Sequence, residues 1–180
     1  MSRYAAFLRG MNVGGHRLTN EELRARFTAM SFTGVATFRA SGNVVFTAAA
    51  RAPGSAKARI EQVLAESLGY AVPTYIRSAE KVRAIAATQP FAPEHVRACT
   101  GKLHVALLTE PPSAQAREQV LELASERDRL LFGERELYWL PSGPMLESDL
   151  DLKLLERLLG AMTLRTKNTI EQICSKHLAE

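Results

Sequence analysis

A chain of 180 residues, 46% hydrophobic and 23% charged, can bury a core as one compact unit or as two small ones, which excludes a disordered protein. Its net charge of +4 comes from 23 basic residues scattered among 19 acidic ones, a balance that permits phosphate-bearing partners without forming a basic tail. No run reaches membrane-spanning length, and Arg3 and Gly10 stand where a signal peptide needs an apolar core, so a cytoplasmic protein with no membrane partner is expected.

Residues 4–9 alternate as a strand does, with Tyr4, Ala6 and Leu8 on one face and Ala5 and Phe7 on the other. A glycine-rich loop follows and runs to Thr19, which with Glu22 has the spacing of a helix N-cap and its partner; Leu23, Phe27 and Met30 make the helical stripe. Val35–Arg39 and Val44–Thr47 flank Ser41-Gly42-Asn43 as a hairpin, and Arg51–Ser55 has the composition of a loop. Ile60, Val63, Leu64 and Leu68 define a second helix closed by Gly69, with a strand at Val72–Ile76. The order is β-α-β-β-α-β.

The second half repeats it. After a connecting segment with a short helix near Lys81–Ala87, Leu103–Leu108 is a strand and Ser113–Ala124 a helix that begins behind Pro111-Pro112. Arg129–Phe132 and Glu136–Leu140 form a second hairpin around Gly133-Glu134. Leu154, Leu155, Leu158 and Leu159 mark a helix, Met162–Arg165 a last short strand, and a C-terminal helix starts near Asn168. The pattern predicts an α+β fold: two tandem ferredoxin-like (βαββαβ) antiparallel-sheet sandwiches packed together, with an additional C-terminal helix. Residues 1–78 form the first subdomain, 79–100 the connecting segment, and 101–180 the second subdomain with that helix.

In such a sheet the first and third strands are antiparallel neighbours, so the first loop and the hairpin turn share one end. That would gather Arg9, Gly10, Asn12, Gly14, Gly15, His16, Arg17, Arg39, Ser41 and Asn43 at one rim. The glycines leave backbone N–H groups uncovered, and the arginines, amides and hydroxyl add donors and positive charge, which suits an anion. The competing reading is that Asn12, Ser41 and Asn43 only bond the turn backbones, as such residues commonly do.

Other motifs carry less. Gly10–Gly15 has the spacing of a nucleotide-binding Walker loop, but His16 and Arg17 stand where the motif needs Lys and Ser or Thr. Arg39, Gly42, Val44 and Phe46 match the RNA-recognition signature of a third strand, while Ser41 and Asn43 stand where stacking aromatics belong. His95 with Cys99 and Cys174 with His177 lack the usual order of a zinc finger, so both cysteines are read as free thiols and no metal is expected. Glu147, Asp149 and Asp151 could hold magnesium, but Ser148 with Asp151 three later has the look of a helix N-cap. No nucleophile elbow is present, and His104, inside an apolar strand, is read as a core or edge residue.

Leu8-Arg-Gly-Met-Asn-Val-Gly-Gly15, Ser41-Gly-Asn-Val-Val-Phe46, Pro90-Phe91 and Thr163-x-Arg-x-x-Asn-Thr169 together resemble the bacterial family of domain of unknown function 1697, over nearly the whole chain. The resemblance implies a full-length bacterial cytoplasmic protein and brings no established activity or cofactor. The family usually shows Arg-Asn-Trp-Asn-Thr where this chain has Arg165-Thr166-Lys167-Asn168-Thr169, and Ser-Lys-Leu where it has Ser148-Asp149-Leu150. If relatives bind a ligand there, the resemblance implies that binding is altered here. The expected function is therefore binding of an anionic ligand, a phosphorylated small molecule or a nucleic-acid backbone, at the glycine-rich loop, with no cofactor. Two alternatives stand beside it: an enzyme on a phosphorylated or carboxylated substrate, with His16 as acid/base and Arg9 or Arg39 stabilising the anion, and a structural interaction module.

Overall fold

The computed structural model describes residues 1–11, 15, 17–39, 42–49 and 53–179, with Pro53 described by its backbone alone. The chain divides into two compact units, one of Met1–Ile85 with Gln172–Glu180 and one of Ala86–Glu171. Among the described residues no helix is long and apolar enough to cross a membrane.

The first unit runs β1 (Ser2–Leu8), α1 (Asn20–Ala29), β2 (Thr33–Thr37), β3 (Asn43–Ala48), α2 (Pro53–Leu68), β4 (Thr74–Ser78) and then α3 (Ala79–Ala87). Its strands form one antiparallel sheet in the order β2-β3-β1-β4. Alternation turns Tyr4, Ala6 and Leu8 of β1 and Val44, Phe46 and Ala48 of β3 toward α1 and α2, where they pack with Leu23, Phe27, Ile60 and Leu64. Phe46 anchors this layer, with the ring of Phe32 at 4.6 Å and that of Phe27 edge-on at 5.6 Å. The expected cap closes α1: Glu22 N–H donates to Thr19 Oγ1 at 3.2 Å, and Thr19 N–H donates to Glu22 Oε2 at 2.7 Å. The fourth strand lies two residues later than its apolar run suggests, because Val72 joins the core from the connection before it.

The second unit holds α4 (Pro93–Ala98), β5 (His104–Leu108), α5 (Ala114–Leu121), β6 (Asp128–Phe132), β7 (Glu136–Pro141), α6 (Leu152–Leu159), β8 (Met162–Thr166) and most of α7 (Lys167–Ile173). Its sheet has the order β6-β7-β5-β8, the same as the first. The chain thus has an α+β fold of two four-stranded antiparallel sheets with flanking helices, the arrangement of tandem ferredoxin-like sandwiches. Residue by residue the registers match: Ala5 pairs with Val45 and Arg77, and Val105 pairs with Tyr138 and Arg165. Arg77 and Arg165 both donate from Nη1 to the preceding carbonyl, of Ile76 and of Leu164. Burial pushes the Arg165 guanidinium down to about 10. Ser78 and Thr166, one residue on, both accept an N–H from the next helix, that of Lys81 and of Thr169. The repeat therefore extends past the fourth strand to a helix.

Three local expectations are corrected. Pro53–Ser55, read as loop, begin α2, since the locked φ of proline suits a first helical turn; Arg51 and Ala52 lie outside the described residues. Pro93–Ala98 is helical although it buries no side chain, so it had no apolar stripe to betray it. The cap of α6 is Asp151, which accepts from Lys153 N–H and Leu154 N–H. Ser148 instead turns inward: its hydroxyl donates to Asp128 Oδ1 at 2.6 Å and accepts from Leu150 N–H.

That same Asp128 oxygen accepts from Trp139 Nε1 at 2.8 Å, and both residues are buried. Asp128→Ala should cost about 2–4 kcal/mol, because it leaves a buried indole N–H without an acceptor, whereas Ser148→Ala, which keeps that bond, should cost about 1 kcal/mol. Urea midpoints at unchanged m-value test the ranking, and equal losses would refute it.

Candidate functional site

The chain leaving β1 is held by the strands on both sides. Phe7 pairs with Asn43, Leu8 N–H donates to Gly42 O at 2.8 Å, and Arg9 N–H donates to Pro73 O at 2.9 Å. The start of the loop and the β2–β3 turn therefore meet, as their shared end of the sheet requires. Gly42, at φ +68°, has no room for a side chain: a Cβ there would stand 3.0 Å from both Leu8 Cβ and Met11 Cγ.

Six of the ten expected site residues are described. Arg9 is half-buried, and Gly10, Gly15, Arg17 and Arg39 are exposed. Asn43 is buried, and its side-chain amide donates to Phe38 O at 3.1 Å, bracing the turn from inside. Among the described residues Arg17 has no hydrogen-bond or ionic partner. Asn12, Gly14, His16 and Ser41 lie outside the described residues.

Arg39 holds a left-handed backbone, φ +57°, which costs a non-glycine residue about 1–2 kcal/mol. Its Nη2 donates to Gln172 Oε1 at 3.0 Å, and its guanidinium carbon lies 5.3 Å from the centre of the Phe38 ring. Lys176 Nζ lies at the same distance from that ring, and the His177 imidazole meets its edge at 6.2 Å. Both come from the C-terminal segment, where α7 passes into a π-helical turn, Cys174–Leu178. Arg83 secures that turn by donating from Nη1 to Leu178 O at 3.0 Å. Two cations thus flank one aromatic ring beside the hairpin. Gln172, Lys176 and His177 had no signal in the sequence, since more than a hundred residues separate them from Arg39.

Other expected chemistry finds its place as well. Val44 and Phe46 point into the core beneath the helices, so the third strand offers no stacking surface at those positions. Among the described residues no three His, Cys, Asp or Glu side chains converge on a metal site, and Cys99 and Cys174 are free thiols. Asp149 pairs with Arg127 at 3.1 Å. His104 stacks on Trp139 at 5.2 Å, and burial, with a smaller contribution from Lys102, holds it below the usual histidine range. In the Arg165–Thr169 segment, Thr166 caps α7, and the buried Lys167 donates to Ala86 O at 2.7 Å and pairs with Glu171.

The model of a family described as protein of unknown function (DUF1697) matches residues 1–138. The chain belongs to that family. The match ends within β7, so the C-terminal residues around Phe38 lie beyond the matched span. No curated protein matches the chain. Among solved structures it is similar to the conserved bacterial protein SP0830 from Streptococcus pneumoniae, 20% identical over 97% of each chain with a TM-score of 0.71. That likeness shows the DUF1697 member's fold.

Burial first, then Arg3 and Lys176, hold His177 below its ordinary pKa. Well above about pH 6.5 the imidazole is neutral in both folded and unfolded chains and contributes no pH dependence. Below that value the unfolded chain takes up a proton the folded one resists, so stability falls until the lowered folded pKa is passed. His177→Gln should flatten that part of the stability profile, as read from thermal midpoints between pH 7.5 and 5; an unchanged slope would sink the assignment.

Proposed function

We propose that the rim where the loop after β1 meets the β2–β3 turn binds a phosphate-bearing ligand, a phosphorylated small molecule or a nucleic-acid backbone. The observation that carries this reading is Arg39: an exposed arginine kept in a costly left-handed conformation, aimed by Gln172 and Phe38, with Lys176 at the same ring. Such a set recognises several anionic oxygens at once, because a guanidinium offers a planar fork and an ammonium a movable point charge. Gly10 and Gly15, at φ +70° and +85° with open space around them, leave their own backbone open to close approach by an oxyanion. Asn43 serves as the brace that sets the turn.

The described members of this rim are mainly cations and N–H donors, which fits binding in preference to turnover; acid–base chemistry would rest on His16 or on His177 at the edge of the Phe38 ring. Of the two stretches that depart from the family pattern, Arg165–Thr169 opens the helix α7 that carries Gln172, the partner of Arg39.

The test is titration calorimetry at low salt with inorganic pyrophosphate and, separately, fluorescence anisotropy with a labelled single-stranded oligonucleotide. Arg9→Ala and Arg39→Gly should each weaken binding by about 1.5–3 kcal/mol, and affinity should fall as salt rises. The glycine variant also releases the left-handed backbone, so its thermal midpoint should hold or rise. If neither probe binds the parent chain, or if Arg39→Gly binds as tightly as the parent, the arginine only holds the turn and the reading fails.

A further inference from the structure

At the far end of β1 from that rim, a strand length of about 20 Å away, the first unit has a second concavity. It encloses about 360 Å³, in the range of small-molecule sites, and is lined by Met1, Met30, Phe32, Ala48, Ala56 and Arg59 among others. Its origin is a run of short side chains. Ala48 ends β3 and Ala49 follows it, and Ser55 and Ala56 sit in the opening turn of α2, so none of them reaches far enough to fill the gap beside α1.

The floor and the lip differ in chemistry. Met30, Phe32, Ala48 and Ala56 are all buried members of the core cluster, so the floor is the hydrophobic core itself, reached from solvent. Apolar surface held this way is stabilised by an apolar occupant. On the lip, one helical turn beyond Ser55, Arg59 is exposed and, among the described residues, has no hydrogen-bond or ionic partner. The neighbouring cation, Lys57, is committed to Glu61 at 2.7 Å. The first turn of α2 carries no acidic residue, so nothing there offsets the positive end of the helix.

An apolar floor beneath an uncompensated positive lip selects one kind of small molecule. A neutral hydrocarbon would gain nothing from the exposed arginine, and a cationic amphipath would be repelled. We propose that this groove binds an aliphatic carboxylate, its chain on Met30, Phe32 and Ala56 and its carboxylate on Arg59. The site is separate from the phosphate rim, and neither stands or falls with the other.

The probe is decanoate, used below its aggregation concentration, with decyltrimethylammonium and decanol as controls of equal chain length. Calorimetry should give one saturable site for decanoate, weaker binding of decanol, and no binding of the cation. Carbon-13 labelling of the methionine methyls locates the site, since Met1 and Met30 signals should move on titration and Met145 and Met162 signals should not. Arg59→Gln should weaken decanoate binding by about tenfold or more, the loss of one charge-assisted hydrogen bond. Ala49→Phe places a ring on the exposed lip without overfilling the core, and should abolish binding while the thermal midpoint holds. The proposal is overturned if decanoate binds no better than decyltrimethylammonium, if Met145 or Met162 responds while Met1 and Met30 do not, or if Arg59→Gln and Ala49→Phe both bind as the parent does.

Discussion

The antiparallel register between β1 and β3 governs most of what the first unit can do. β1 is an inner strand, with β3 on one side and β4 on the other, and the chain leaves it at Leu8 between two fixed carbonyls. Leu8 N–H reaches Gly42 O and Arg9 N–H reaches Pro73 O. A slip of one residue would turn Tyr4, Ala6 and Leu8 out of the core and move Arg9 away from the hairpin in one step. The register is held by the burial of six alternating side chains on the helical face, so the geometry at the rim is a consequence of core packing.

Comparison of the two units shows how the same scaffold yields different ends. Asn43 and Glu136 occupy the same register position, opposite Phe7 and Leu107, and Leu8 N–H and Leu108 N–H donate to the equivalent carbonyls of Gly42 and Arg135. In the first unit the residue at that position braces a turn flanked by an exposed arginine. In the second it is a buried carboxylate that accepts from Arg135 N–H at 3.2 Å. The nearby Arg117 guanidinium donates to the carbonyls of Gly133 and Glu134, and Arg135 Nη1 to that of Thr109. The cations of that end are thus drawn onto backbone oxygens beside the buried Glu136. The two ends differ through a handful of side chains on an otherwise matched backbone.

Much of this was legible in the chain itself, for identifiable reasons. The short apolar run Tyr4–Leu8, buried on both faces, and the Thr19-x-x-Glu22 spacing report local geometry, and local geometry is what propensity and capping encode. The repeat was visible because each half must bury the same kind of sheet under the same kind of helix. What escaped was set by distance or by weak local signal. Helix α4 buries nothing, so no periodicity marks it. Ser148 and Asp151 both belong to types that cap helices, and only the tertiary position of Asp128, twenty residues earlier, decides that Ser148 turns inward. Lys176 and His177 sit at the end of a chain whose path back to Phe38 no local pattern announces.

That return path bears on how the rim is held together. The left-handed backbone at Arg39 costs about 1–2 kcal/mol. Its hydrogen bond to Gln172 contributes about 0.5–1.5 kcal/mol and its stacking on Phe38 about 0.5–1 kcal/mol, so the balance lies near zero. Arg39 keeps its aim chiefly because a segment from the other end of the chain is docked beside it. That segment is itself secured by the buried Ile173 and Leu178 and by Arg83, none of which belongs to the rim. Anything that loosens residues 172–178 therefore removes the partner that offsets the cost at Arg39, and the arginine then relaxes away from the hairpin. The position of the charge at this end of the sheet is accordingly a property of the docked C-terminus as much as of the glycine-rich loop.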